Sequence, residues 1–178
     1  MKLSRVSNMG TDKLIFIIIG GFTLVILVLI VLFSINEGKQ SQTAANINSF
    51  SVNDKEKPVV AISSAFSDLG NMKVKDEKSA EFSIENKGTK PLSLFKVSSS
   101  CDCTFGQITI DGNKSAEFGM HSKNSWTGTV DPGGKATLYV IYRPFIMPVK
   151  GVVTRDVFMQ TNDPENPKLT FTVKAEVE

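Results

Sequence analysis

The sequence is poor in the residues on which most catalytic sites depend. Its 178 residues include one histidine, His121, and two cysteines, Cys101 and Cys103. A Ser-His-Asp triad would have to use His121, yet no Gly-x-Ser-x-Gly turn is present to hold a nucleophilic serine. No glycine-rich loop opens a helix, so the phosphate-binding motifs of Rossmann and P-loop proteins are absent as well. We therefore predict that the protein is not an enzyme.

The charge balance gives no indication of a nucleic-acid-binding surface. The chain has 20 basic and 18 acidic residues, a net charge of +2. Residues 1–13 contain three of the basic residues and one of the acidic ones, which leaves 17 of each in the rest of the chain. The positive excess therefore belongs to a short N-terminal tip and not to a basic face. We predict no nucleic-acid partner.

The largest departure from an average composition is one long run without charge. Leu14–Phe33 contains 20 residues, of which 17 are apolar. A helix of that length spans roughly 30 Å, the thickness of the hydrocarbon core of a bilayer. We predict a transmembrane helix over residues 14–34, with the lipid bilayer as its partner. A cleaved signal peptide is the alternative, although its apolar region is usually only about 7–15 residues long.

Charges on either side of this run predict its orientation. Three Lys or Arg residues precede it within residues 1–13, whereas Lys39 is the only one among the ten residues after it. The positive-inside rule places residues 1–13 in the cytoplasm and the C-terminal part of the chain outside. No cysteine directly follows the run, which excludes a lipoprotein anchor. The expected location is the cell membrane, with a single span and an extracytoplasmic C-terminal domain.

Residues 35–57 have the composition of a flexible linker. They are mostly Asn, Gln, Ser, Lys, Glu and Ala, with no periodic apolar pattern. A coil of this length has an r.m.s. reach of about 25–30 Å, which would let a following domain stand clear of the headgroups. A helical stalk is the alternative interpretation.

The remaining residues, 58–178, predict one all-β domain. Apolar residues alternate in several short runs, most clearly over Leu169–Val177, and the dense run Leu138–Tyr142 indicates a central strand. Turn signals rich in Gly, Pro, Asn and Asp separate the runs, at 86–88, 111–113, 131–134 and 162–164. No pattern with a period of 3.6 is as long as ten residues. Short strands at this spacing favour a sandwich of two sheets.

A series of motifs in this domain resembles a known family. In chain order they are Phe66-x-x-Leu69-Gly70, Phe82–Gly88, Pro91-Leu92, Val97–Thr104, Asp131–Gly134, Thr161–Pro164 and the strand Leu169–Val177. Over residues 62–178 they resemble the bacterial Ig-like "domain of unknown function 1573" family, which is related to the Ig-like repeats of abnormal-spindle and Hydin proteins. The resemblance implies an Ig-like antiparallel β-sandwich, usually extracytoplasmic and often membrane-anchored, and no known reaction. An insertion at 107–129 departs from the family pattern and leaves the strand count there open.

The cysteines, Cys101 and Cys103, are separated by one residue. On an extended strand residues i and i+2 point the same way, so both sulfurs can meet one object or each other. Three interpretations are open. An oxidising compartment favours a disulfide, a β-core favours two small buried thiols, and soft ligands favour a copper or zinc site completed by His121 and a thioether. The candidate thioethers are Met120, Met147 and Met159.

Three further residues or pairs have two interpretations each. His121 is either an ordinary surface residue or a metal ligand. Trp126 either packs at one end of the sandwich or binds a ligand such as a polysaccharide, together with Tyr139 and Tyr142. Arg155-Asp156 is either a solvated pair or contains a buried Arg paired with a neighbouring strand.

The function that these patterns favour is a membrane-anchored Ig-like module of a bacterial envelope. Its role would be protein–protein interaction or scaffolding with an envelope protein, for instance through a free sheet edge. The alternative is a redox or metal-handling module built on Cys101, Cys103 and His121.

Overall fold

The computed structural model describes residues 19, 21–26, 47–123 and 125–178. The chain divides into two compact units, Met1–Thr43 and Ala44–Glu178. In the first unit, residues 19 and 21–26 are helical and exposed. Within the described ranges, no helix has the length and apolar character that a membrane span requires. The predicted tip 1–13, most of the predicted span 14–34 and linker residues 35–46 lie outside the described residues.

The second unit is built from strands. Over residues 47–123 and 125–178 they are β1 Val60–Ile62, β2 Phe66–Met72, β3 Lys78–Asn86, β4 Leu92–Ser99, β5 Thr104–Ile110, β6 Asn113–Lys114, β7 Thr127–Val130, β8 Lys135–Tyr142, β9 Gly151–Thr161 and β10 Lys168–Val177. A 3-10 turn, Pro144–Ile146, follows β8. The strands form two five-stranded sheets, in the orders β1-β3-β8-β5-β6 and β2-β10-β9-β4-β7. The prediction of an all-β, two-sheet sandwich is confirmed, and β8 is central in its sheet as predicted.

One strand pair corrects the prediction of a purely antiparallel sandwich. β2 pairs in parallel with β10, with Phe66 opposite Thr172. β1 lies at the edge of the first sheet and β2 at the edge of the second, so residues 63–65 carry the chain from one sheet to the other. Because the chain keeps its direction as it crosses, β2 arrives parallel to the last strand.

The core lies between the two sheets, on the faces that the alternation predicts. Phe82 and Ile84 of β3 are buried, as are the five alternate residues of β10 from Leu169 to Val177. The rings of Phe82 and Phe171 meet across the two sheets at 5.2 Å. Burial of each such side chain contributes about 1.5–3 kcal/mol, which is why the period of two decides the fold.

The predicted turn at 86–88 is held by a buried side chain. Asn86 Nδ2 donates to the carbonyl oxygens of Lys90 and Val130, at 2.8 and 2.9 Å, and Oδ1 accepts from the N–H of Gly88 at 3.0 Å. A Cβ at position 88 would lie 2.3 Å from the carbonyl oxygen of Lys57. Only glycine, which has no Cβ, leaves room for this contact. The Asn-Lys-Gly motif therefore forms the turn and also allows the chain at Lys57 to pack against it.

The inserted segment, 107–129, contributes to both sheets. Asp111 and Gly112 adopt positive φ angles, 48° and 79°, and connect β5 to the short β6. Phe118 returns to form a bridge with Gly106, and β7 then joins the second sheet beside β4. The rings of Phe118 and Trp126 pack at 5.5 Å.

The two ends of the sandwich differ. The chain enters at the proximal end, formed by the turns 86–91, 131–134 and 162–167. There Asn162 Nδ2 donates to the carbonyl oxygen of Asn48, and Lys57 pairs with Glu165 at 2.6 Å. The distal end is formed by the turns 73–77, 100–103 and 143–150. The ten residues of β10 separate the two ends by roughly 30 Å.

Candidate functional site

The two cysteines lie in the distal loop between β4 and β5. The structure joins Cys101 and Cys103 in a disulfide, with Cα atoms 5.3 Å apart. The bend that allows this is held at Cys101, whose carbonyl oxygen accepts from Ser99 Oγ at 2.7 Å and from the N–H of Thr104 at 3.3 Å. Cys103 is fully buried, whereas Cys101 is half-buried. Of the two cysteines, only Cys101 is partly accessible to solvent.

Cys103 closes the distal end of the core. It packs in a second cluster of buried side chains, separate from the main core. The side chains of this cluster come from both sheets. The buried members are Met72, Cys103, Tyr142, Val153, Ala175 and Val177. The cysteine loop is therefore joined to the packing of the domain.

Arg155 is the charged neighbour of this disulfide. It shares the inward face of β9 with Val153 and Val157, both buried. Arg155 Nε lies 3.4 Å from Cys103 Sγ, and the guanidinium carbon lies 5.8 Å from the centroid of the Tyr142 ring. Nη1 donates to the carbonyl oxygen of Thr154 at 2.9 Å. In the part of the chain that the structure describes, no carboxylate forms an ion pair with Arg155.

The Arg155-Asp156 pair therefore differs from both of its sequence-based interpretations. Asp156 has the opposite orientation and accepts from Thr172 Oγ1 at 2.7 Å. Arg155 is neither fully solvated nor half of a buried ion pair. Its position was accessible from the sequence, because it falls in the same period of two as Val153 and Val157.

The phenol of Tyr142 is the second polar group buried at this end. Its oxygen has no hydrogen-bond partner among the described residues. Burial raises the pKa of Tyr142, and the nearby Arg155 cation offsets part of that rise. The phenol therefore keeps its proton at neutral pH.

The predicted metal ligands are brought together only in part. His121 Nε2 lies 3.7 Å from Asp102 Oδ2, so the histidine does reach the cysteine loop, with its side chain 78% exposed. Met120 and Met147 are exposed, and Met159 is buried in the main core. No group of three or more His, Cys, Asp or Glu that could hold a metal occurs among the described residues. A copper or zinc site of Cys101, Cys103, His121 and Met120 stays a prediction, and it requires the disulfide to be reduced.

Trp126 packs against the core and also borders a pocket. Its half-buried ring rests on Phe118. The pocket, about 280 Å³ and open to solvent, is lined by Ile110, Asp111, Asn113, Lys114, Ser115, Trp126, Gly128 and Thr129. Tyr142 is fully buried at the distal end and cannot contribute to this surface. A binding role for Trp126 stays a prediction.

Sequence reasoning missed an exposed apolar loop at the distal end. Phe145, Ile146 and Met147 follow β8 and are 47%, 42% and 50% exposed. The run resembles a continuation of the strand, but the prolines on either side, Pro144 and Pro148, were the available signal that it is a loop.

Arg143 fixes the start of this loop. Its backbone N–H donates to the carbonyl oxygen of Cys103 at 2.8 Å, which ties the loop to the disulfide. Its guanidinium makes two hydrogen bonds to Glu117, at 2.6 and 2.9 Å, and a further one to Glu77. These bonds from Arg143 hold the pKa of Glu117 below its usual value. The start of the apolar loop is therefore tied to the cysteine loop and held in place by a charged network.

The free sheet edges are poor templates for an added strand. β1, β6 and β7 have three, two and four residues. The longer edge strand, β2, is covered by Lys78, whose Nζ donates to the carbonyl oxygens of Leu69 and Asn71 at 2.7 and 2.8 Å. Short edges and a covering lysine are devices that prevent strand addition.

A family model agrees with this fold. The model for the HYDIN/CFA65/VesB-like Ig-like domain matches residues 58–176. The chain belongs to the HYDIN/CFA65/VesB-like Ig-like domain family. The predicted Ig-like membership is thereby confirmed, while the narrower family, domain of unknown function 1573, stays a prediction. A search of curated proteins found no match.

Solved structures similar to this Ig-like domain come from varied proteins. A protein of unknown function from Porphyromonas gingivalis W83 is 23% identical over 68% of this chain, with a TM-score of 0.50, and this chain covers 47% of it, about half its length. The ASH/PapD-like domain 7 of human CEP192 is 14% identical, with 74% of this chain and 98% of that chain covered and a TM-score of 0.45. A family 123 glycoside hydrolase from Clostridium perfringens is 11% identical, with 68% and 27% covered and a TM-score of 0.48. At these identities the likeness concerns the fold alone.

Proposed function

We propose that this Ig-like domain is a membrane-anchored, extracytoplasmic protein-interaction module, and that its distal end is the surface that docks an envelope protein. The observation that carries this proposal is the difference between the two ends. The chain enters at the proximal end, and the exposed apolar loop lies about 30 Å away, at the distal end.

The chemistry of the distal loop fits a protein partner. Three consecutive exposed apolar residues, 145–147, are unusual on a small domain and are typical of an interaction site. Arg143, Glu77 and Glu117 place a charged rim beside them, which is the arrangement of many protein interfaces. The short or covered sheet edges favour this loop over strand addition as the docking site.

The anchor in this proposal is Leu14–Phe33. Its support is the charge-free length of the run and the three basic residues that precede it. With this anchor the Ig-like domain lies outside the cytoplasm. Its role is binding, and no hydrolytic activity is proposed.

Site-specific crosslinking tests the docking surface. A photoreactive residue at Ile146 of the full chain in native membranes is expected to give a discrete adduct with a second protein. The matched control is Val52, an apolar residue of the proximal side with 54% exposure. Purified partner should then bind Phe145→Ser on the order of tenfold more weakly, as for a central apolar contact, and Val52→Ser unchanged. Equal adducts at both sites, equal loss in both variants, or adducts with only a second copy of this chain would contradict the proposal.

A redox role is the second candidate. The observation that favours it over a metal site is the contact of Arg155 with Cys103, since a cation beside the sulfurs suits a thiolate and opposes a metal cation.

A further inference from the structure

The distal end of the core contains a cation without a counter-ion. Arg155 is half-buried on the inward face of β9, and within the described ranges no carboxylate pairs with it. A cation that is partly removed from water is stabilised when a negative charge lies beside it. Cys103 Sγ lies 3.4 Å from Arg155 Nε, and it would supply such a charge as the thiolate that forms when the disulfide bond is broken.

We propose that Cys101–Cys103 is a thiol–disulfide exchange site for a dithiol on a partner protein, in which the Cys101 sulfur is attacked and the Cys103 sulfur leaves as a thiolate beside Arg155. This inference rests on the redox role given above as the second candidate, and it does not depend on docking at the apolar loop.

The exposure of the two residues decides which sulfur is attacked. Cys101 is partly exposed, whereas Cys103 is fully buried and closes the core, so Cys101 is the more accessible of the two residues. Exchange requires access to the sulfur under attack and a stabilised leaving group. Thr104 adds a hydroxyl that lies 3.3 Å from Cys101 Sγ and 3.9 Å from Cys103 Sγ, so it can donate to either sulfur after the bond is broken.

The exchange balances in two steps. A thiolate of the partner attacks Cys101 Sγ, a mixed disulfide forms between partner and Cys101, and the intramolecular bond breaks to leave the Cys103 thiolate. The second thiolate of the partner then attacks the partner sulfur of the mixed disulfide, which releases the Cys101 thiolate. The partner dithiol is oxidised to a disulfide by two electrons, the Cys101–Cys103 disulfide is reduced, and the two protons of the partner thiols pass to solvent or to the released thiolates.

Redox titration of the full chain in detergent tests the role of Arg155, with glutathione as the probe. Arg155→Gln should lower the equilibrium constant for reduction on the order of tenfold, the effect expected for one charge-assisted hydrogen bond. Arg155→Lys should recover part of this loss because it keeps the charge. The control is Lys174→Gln, which removes an exposed cation that pairs with Asp68. Equal constants in wild type and Arg155→Gln, with both proteins folded by circular dichroism, would overturn the assignment of Arg155.

Reaction with oxidised glutathione tests which sulfur can form the mixed disulfide, the intermediate that exchange passes through in either direction. Folded Cys103→Ser, which keeps Cys101, should form a glutathione adduct detectable by mass spectrometry. Folded Cys101→Ser, which keeps the buried Cys103, should react on the order of tenfold more slowly or only after unfolding. Equal rates in the two folded variants would show that Cys101 is not the preferred sulfur.

Discussion

At the scale of single residues, Asp163 is a buried carboxylate that several hydrogen bonds build into the fold. It is buried, and its Oδ2 accepts from the N–H of Val60 at 2.9 Å and from Asn166 Nδ2 at 3.1 Å, while Oδ1 accepts from the N–H of Glu165 at 2.9 Å. Burial by itself raises the pKa of Asp163, but these hydrogen bonds together outweigh it and hold the pKa below its usual value.

We predict that Asp163→Asn lowers the free energy of unfolding by about 1–3 kcal/mol at neutral pH, because an amide cannot accept all three hydrogen bonds. A carboxylate whose folded pKa is depressed stabilises the fold above its unfolded pKa, about 3.9, and this stabilisation is lost as the pH falls through the folded value. The difference between wild type and variant should therefore shrink below about pH 4. Urea denaturation at neutral and acidic pH measures both effects. The control is Asp131→Asn, an exposed turn residue, and a pH-independent difference at position 163 would contradict the argument.

The sequence predicts only part of what Asp163 does. Turn chemistry identifies Asn162-Asp163-Pro164, because these residue types bond their own backbone. The bond to Val60 joins residues 103 positions apart, so no local pattern contains it. The contact of Arg155 with Cys103, 52 positions apart, was missed for the same reason.

At the scale of elements, the alternating strands were predictable, because a strand buried on one face has apolar residues at every second position. β2 was not, since Phe66–Met72 contains Asp68, Gly70 and Asn71 and lacks a clean alternation. Its place and parallel direction follow from pairing with β10, a tertiary contact. The same holds for β7, a four-residue strand whose partner, β4, fixes it in the second sheet.

A prediction about β7 can be followed by the fluorescence of Trp126, the only tryptophan in the sequence. A Cβ at Gly128 would lie 2.6 Å from both Ile110 Cδ1 and Trp126 Cη2, closer than atoms can pack. Gly128→Ala should therefore displace the Trp126 ring toward solvent, shift its fluorescence to longer wavelength, and lower the free energy of unfolding by about 1–3 kcal/mol. Thr129→Ala, the exposed neighbour on the same strand, is the control. An unchanged emission spectrum in Gly128→Ala would show that this contact does not hold the ring.

At the scale of the whole molecule, the two ends of the sandwich have different chemistry. The proximal end is polar and receives the chain, through Lys57 with Glu165 and Glu56 with Lys90. The distal end combines the disulfide, the Arg155 cation and the apolar loop. Under the two proposals a partner at the distal end would both dock and exchange thiols. The proposals concern the same end but rest on different side chains.

The proposed topology predicts where cysteine labels react. In a Cys101→Ser and Cys103→Ser background the chain has no other cysteine, so Ser7→Cys reports the N-terminal tip and Lys87→Cys, an exposed position, reports the sandwich. With an uncleaved anchor at Leu14–Phe33, a membrane-impermeant maleimide applied to intact spheroplasts should label Lys87→Cys. It should label Ser7→Cys only after detergent, because the three basic residues of the tip keep it in the cytoplasm. Labelling of both positions only after detergent would place the sandwich in the cytoplasm. Recovery of labelled Lys87→Cys in the medium, without residues 1–13 by mass spectrometry, would replace the anchor with a cleaved signal peptide.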